Sequence, residues 1–238
     1  MAFAGSLFAA ILFSLIFKPL IKRFSIFFYV AALLLGVFYL VSISSELPGF
    51  LTRFLPLVMQ KGTLAVSFFV IVMFIGVFDE SSEVRKYLMP IRAELSIIGS
   101  LLMLTHIVRY LITYAPLIIG GARVGFNIFA AFFLALLLVV LLAILTGTSF
   151  NVTKRRIHPD SWKRIQWLAY PFFLLIYVHL LLFLLPSALL GGTTAWISVG
   201  VYTATFIAYI VLRLRRSKYA NTSSPDIHDT SKDAWVAL

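Results

Sequence analysis

The chain contains no cysteine. That absence excludes disulfides, thiolate nucleophiles, iron–sulfur clusters, cysteine-ligated zinc and covalent haem attachment through C-x-x-C-H, and it leaves nitrogen and oxygen donors as the means of holding a metal. Charge is also scarce, at 12% of 238 residues, where a soluble domain carries about 25%. So little charge within the apolar runs argues against an ion-coupled carrier, which commonly needs acidic groups at mid-depth. There is no internal repeat or inverted symmetry of the transporter kind, and no soluble nucleotide-binding domain follows the last apolar run. What fills the chain is hydrocarbon: 61% of residues are hydrophobic and the mean hydropathy is +1.01. That much apolar surface exceeds what one aqueous core can hide, so it faces lipid.

Apolar stretches fall at about 3–17, 24–43, 63–78, 95–114, 125–146, 165–185 and 194–212. They predict an all-α fold, a polytopic membrane helical bundle of about seven transmembrane helices over residues 1–216, with the first and third spans short. Lys18, Lys22 and Arg23 follow the first run rather than precede it, the reverse of a secretory signal, so it reads as a retained helix. The tail 217–238 is rich in Ser, Thr, Asn, Asp and Lys and is expected to be disordered.

If all seven runs cross, the basic residues sort cleanly. Sixteen fall on one side, in clusters at Lys18 to Arg23, Arg85 to Arg92, Lys154 to Arg164 and Arg213 to Lys232, and four on the other, Arg53, Lys61, Arg109 and Arg123. Cytoplasmic loops retain positive charge. The N-terminus is therefore expected outside and the C-terminal tail in the cytoplasm, with the chain multi-pass in the cell (plasma or inner) membrane. The net charge of +11 is then that of membrane flanks, and nucleic acid is not a partner. Gly120-Gly121 and Gly191-Gly192 fall in short external connections and suit tight turns.

Two histidines lie inside spans: His106 in ELSIIGSLLMLTHIVRY and His179 in LAYPFFLLIYVHLLLF. An ionisable residue at such depth faces the bundle interior and has a partner or a ligand. Neutral imidazole suits haem iron, and two facing imidazoles fill both axial positions. Measured from Leu95 and Ile165 at about 1.5 Å per residue, His106 lies at about 16 Å and His179 at about 21 Å, within about one turn of each other. The alternative is a pair of structural histidines hydrogen-bonded to neighbouring helices. Arg109, three residues beyond His106, suits a haem propionate or else anchors to outer headgroups. Phe172, Phe173 and Tyr177 are expected to line the site. Trp162, Trp167 and Tyr170 read as an interfacial aromatic belt, and Pro171 as a slight bend in the sixth span. Arg92 and Glu94 sit at the cytoplasmic entrance of the fourth span, His158 in a solvated basic turn, and His228 in the tail.

Arg92, Leu95 and His106 form R-x-x-L-x10-H, and Thr148-Ser149 is followed by Lys154-Arg155-Arg156, Trp162, Tyr170 and His179. Over about 61–185 this ordered set resembles the ferric-reductase-like transmembrane family, and most closely the haem-binding membrane subunit of periplasmic methionine sulfoxide reductase systems. In that family the second stretch reads T-S, a basic turn, W-x-x-L-H-x-x-x-Y and a further His; here Gln166 stands in place of the first His. The resemblance implies a six-helix core, preceded here by one extra N-terminal helix, that binds haem b. It implies an oxidoreductase electron-transfer subunit, moving electrons from a quinol or flavin donor (quinone or FMN) to an external redox partner protein, with methionine sulfoxide or metal reduction as alternative endpoints. Larger relatives stack two haems. With Gln166 and Arg92 or Ala93 at the inner positions, one haem is expected here. A cofactor-free membrane transporter or assembly scaffold is the competing class.

Overall fold

The computed structural model describes residues 2–42 and 61–222, together with Pro56 and Met59. Among these residues the chain is helical, with no strand. The helices are α1 (Ala2–Arg23), α2 (Ser25–Ser42), α3 (Thr63–Ile75), α4 (Glu83–Leu88), α5 (Arg92–Ile119), α6 (Phe126–Ser149), α7 (Asn151–Arg156), α8 (Pro159–Gln166), α9 (Ala169–Leu189) and α10 (Thr193–Thr222). Six helical stretches are long and apolar enough to cross a membrane, and α3 is a seventh, shorter apolar helix. In hydrocarbon a helix satisfies its own backbone, which is why runs of Leu, Phe, Val and Ala take this form regardless of propensity. Large side chains such as Phe8, Ile16, Leu34 and Val140 point outward, as lipid-facing surface requires. The chain is a multi-pass membrane helical bundle.

Contacts between helices establish that neighbours in sequence run in opposite directions. At one end Ser6 on α1 meets Thr63 on α3 at 3.3 Å, and Asn127 on α6 donates to the Leu182 carbonyl on α9 at 3.3 Å. At the other end Tyr87 donates to the Leu15 carbonyl on α1 at 3.1 Å, and Arg92 donates to the Val72 carbonyl on α3 at 3.0 Å. Arg216 on α10 reaches the Gly76 carbonyl there, and Lys18 lies 3.8 Å from the Tyr87 ring centroid. The predicted basic clusters thus gather at one end of the bundle, as alternation of seven segments demands. Lys232, Arg53 and His228 lie outside the described residues, as does the tail from 223; α10 itself continues to Thr222, past the boundary expected at Arg216.

The shortest helix to reach across the bundle is also the most enclosed. Eleven of the thirteen residues of α3 are buried, packed on α1 and α5, with Phe69 edge-on to Phe172 of α9 at 5.4 Å and Phe74 against Tyr209 of α10 at 5.8 Å. At about 1.5 Å per residue it is about 20 Å long, short of the roughly 30 Å hydrocarbon layer. A helix facing lipid could not end so early, because its terminal carbonyls would lie bare in hydrocarbon. Surrounded by protein, α3 can. α2 lies so close to α5 that a Cβ built at Gly36 would overlap Thr105 Oγ1, a small-residue approach typical of membrane helices.

Two local expectations are corrected. The sixth span is not one helix from 165: α8 ends at Gln166 and α9 begins at Ala169. α8 starts with Pro159 behind the His158 cap, carries Asp160 in its first turn and Lys163 and Arg164 in its last, matching the helix dipole at both ends. Pro171 therefore sits in the first turn of α9 and not inside one continuous helix; the Trp167 carbonyl, four positions before it, takes the Tyr170 N–H at 3.1 Å, and the break in the span falls there.

Candidate functional site

His106 lies midway along α5 and His179 midway along α9. Each is followed four residues later by an aromatic residue, in HIVRY and HLLLF, and that spacing sets the ring above the imidazole on one helix face. His106 and Tyr110 have centroids 4.6 Å apart, His179 and Phe183 5.3 Å apart, and Tyr110 meets Phe183 at 6.5 Å. The two histidines are thereby held at matching depth, and each lies within electrostatic reach of the other. α6 packs against both α5 and α9, so the two histidine-bearing helices meet chiefly through these rings.

The imidazoles are held differently. His106 has the backbone of Gly62 against its ring: a Cβ there would lie 3.4 Å from both Cγ and Nδ1 and 3.3 Å from Met103 Sδ. Gly62 also has φ of +63°, which favours glycine. His179 faces the Ala131 backbone of α6, while its Nδ1 is buried and has no hydrogen-bond partner among the described residues. A buried imidazole nitrogen without a partner can present a lone pair, the state in which it ligates a metal. A buried polar atom without a partner is uncommon enough to need an explanation. The donor set, two imidazoles at one depth, fits a haem iron with two axial nitrogens. Among the described residues there is no group of three or more His, Asp or Glu that could hold a bare metal ion.

Arg109 lies one turn beyond His106, near Tyr39 of α2 and Tyr110. No carboxylate pairs with it among the described residues. The aromatic lining differs from expectation. Phe172 packs on Phe69, Phe173 stacks on Phe206 at 4.4 Å, and Tyr177 hydrogen-bonds Thr203 at 2.8 Å, so these three join α9 to α3 and α10. Tyr110 and Phe183 line the histidine pair instead. The repeated H-x-x-x-aromatic spacing is the sequence signal that marks them.

At the opposite end, Thr148 is an anchor. Trp162 Nε1 donates to its carbonyl at 3.0 Å and Gln166 Nε2 donates to its Oγ1 at 3.0 Å. The Thr-Ser, Trp and Gln positions thus fasten α8 under α6. Trp162 is also covered by Lys154 at 4.6 Å and Tyr170 by Arg213 at 4.8 Å, so of the expected aromatic belt Trp167 is the member left open to the surroundings. Glu94 lies near Tyr29. His158 is exposed, and its Nδ1 accepts weakly from the Asp160 N–H at 3.4 Å.

No protein-family model matches the chain, and no solved structure matches it. An uncharacterized protein of Treponema pallidum (strain Nichols) is 35% identical over 162 residues, which is 67% of this chain and 44% of that protein. The chain therefore spans less than half the length of that relative, whose name assigns no activity.

Proposed function

We propose that this protein binds one haem b between His106 and His179 and serves as the electron-transfer membrane subunit of an oxidoreductase, from a quinol or flavin donor to a redox partner outside. The observation that carries the reading is the matched pair of imidazole and aromatic residues, with Nδ1 of His179 bare. When bound, haem supplies one-electron chemistry; the chain supplies two neutral nitrogen ligands, ring packing that fixes their height, and a guanidinium at Arg109 suited to a propionate. The resemblance over 61–185 points the same way.

A second haem lacks ligands at the inner positions. Gln166 is engaged by Thr148 and Arg92 by the Val72 carbonyl, and neither side chain is an iron ligand at neutral pH. Without an inner haem, electrons from a cytosolic domain would have no first step, which favours a membrane-embedded quinol or a flavin held between helices. The charge asymmetry supports a cytoplasmic basic end. Protein purified from haem-replete cells should show sharp reduced-minus-oxidised b-type bands at about one haem per chain. Absence of those bands sinks the reading and favours the cofactor-free class; a reproducible value near two would require a ligand pair other than those named. Reporter fusions after Ser217 should read cytoplasmic and at Gly191 external, and the reverse at both sites would invert the direction of electron flow proposed here.

A further inference from the structure

Three arginines converge on the carbonyl end of α3. Arg85 on α4 donates to the Phe78 carbonyl at 3.0 Å, Arg92 on α5 to the Val72 carbonyl at 3.0 Å, and Arg216 on α10 to the Gly76 carbonyl. A fourth, Arg213, lies one turn earlier on α10 with its guanidinium over the Tyr170 ring. It makes no hydrogen bond among the described residues, yet it is within electrostatic reach of Arg92, Arg216 and Tyr209. Tyr170 and Tyr209 stand beside Arg92 as well.

Acidic compensation is thin. Glu80 lies 3.0 Å from Arg85 and 3.6 Å from Arg216 and is 83% exposed, and Asp79 reaches Arg216 electrostatically. Neither Arg92 nor Arg213 has a carboxylate partner among the described residues. The negative end of α3 offsets about half a charge, which leaves the cluster positive at the membrane boundary, where a guanidinium seeks an anion.

We infer that Arg92 and Arg213, with the hydroxyls of Tyr170 and Tyr209, bind a phosphate group at the basic end of the bundle. The planar fork of arginine matches phosphate geometry. The source is the headgroup of an anionic phospholipid in the adjoining leaflet: Ile210, one turn from Arg213 toward the membrane interior on the same side of α10, is 39% exposed and offers an apolar surface to the acyl chains below the headgroup. The site is about 20 Å along α5 from His106 and does not rest on the haem reading.

The test is native mass spectrometry on the full chain in detergent, titrated separately with phosphatidylglycerol, phosphatidylcholine, flavin mononucleotide and inorganic phosphate. Arg213→Gln removes the guanidinium without removing a hydrogen bond from the fold, and Arg155→Gln serves as a basic control on α7. One phosphatidylglycerol should bind per chain, roughly five- to tenfold tighter than phosphatidylcholine, with the preference lost in Arg213→Gln and kept in Arg155→Gln. Flavin mononucleotide or phosphate binding that is lost in Arg213→Gln would uphold the phosphate site and assign it to a soluble ester. The inference is overturned if Arg213→Gln binds all four probes as the parent does, or if Arg155→Gln loses as much as Arg213→Gln.

Discussion

At the basic end of the bundle, polar side chains are tied to the backbone around them. Arg85, Arg92 and Arg216 take the last carbonyls of α3 and the turn beyond it, and Trp162 and Gln166 take Thr148. The region of the histidines is built in another way: Tyr110 on α5 meets Phe183 on α9, and among the described residues Nδ1 of His179 has no partner and Arg109 no carboxylate. At the basic end these bonds hold helices together and leave for a ligand only Arg213 and the part of the Arg92 guanidinium beyond its Nε, whereas an acceptor left unpartnered in a buried place is costly unless something fills it. The contrast sets hydrogen bonds to the backbone in one region against an unpartnered imidazole nitrogen in the other.

The sharpest way to break that contrast is to remove an imidazole. His106→Ala or His179→Ala is expected to abolish haem binding, or nearly so, while the protein still inserts, because every apolar span remains; haem content and the difference spectrum of membranes from haem-replete cells check it. If both variants keep the parent's spectrum, the histidine end is not the cofactor site. Arg92→Leu should act on the fold instead. Leaving the Val72 carbonyl without its donor is expected to cost about 1–3 kcal/mol, read as a lower unfolding midpoint in detergent, with an unaltered spectrum in the molecules that remain folded. An unchanged midpoint would mean that the arginines are not structural. The smallest effect is expected from Gln166→Ala, about 0.5–1.5 kcal/mol for one hydrogen bond to Thr148, with haem stoichiometry unmoved. A fall in haem content there would show that the two ends are not separable.

The spans and their alternation are legible in the sequence alone because both follow from one-dimensional physics: hydrophobic length against bilayer thickness, and positive charge against translocation. Depth matching of His106 and His179 is legible too, since helical rise is constant. What the sequence hides is which way a residue faces across the bundle. Phe173 and Tyr177 lie close to His179 in sequence yet turn toward α10, a rotation that only the neighbouring helices determine. Arg92 reads as an entrance charge because its partner, the carbonyl of Val72, is a backbone atom twenty positions away and carries no side-chain signature. Pro171 reads as lying inside the sixth span because the boundary at Trp167 and Leu168, just ahead of it, shows only in the backbone pairing of that turn. Of the residues that carry the resemblance, Thr148, Trp162 and Gln166 fasten helices to one another, a role that their order in the sequence does not announce.

The brevity of α3 bears on how the protein would experience a membrane voltage. Gly62, at its start, lies against His106, and the arginines close its other end, so the two are separated by about 20 Å of the roughly 30 Å hydrocarbon layer. A potential falls mainly across the layer of lowest permittivity, so that separation takes in about two thirds of the drop. On the proposed reading, an electron carried from the arginines to the histidines would cross that two thirds, where the full drop is worth about 2.3 kcal/mol for each 100 mV. One taken up from a donor already level with the histidines would cross almost none, which makes the voltage dependence of turnover in sealed vesicles a gauge of the depth at which electrons enter.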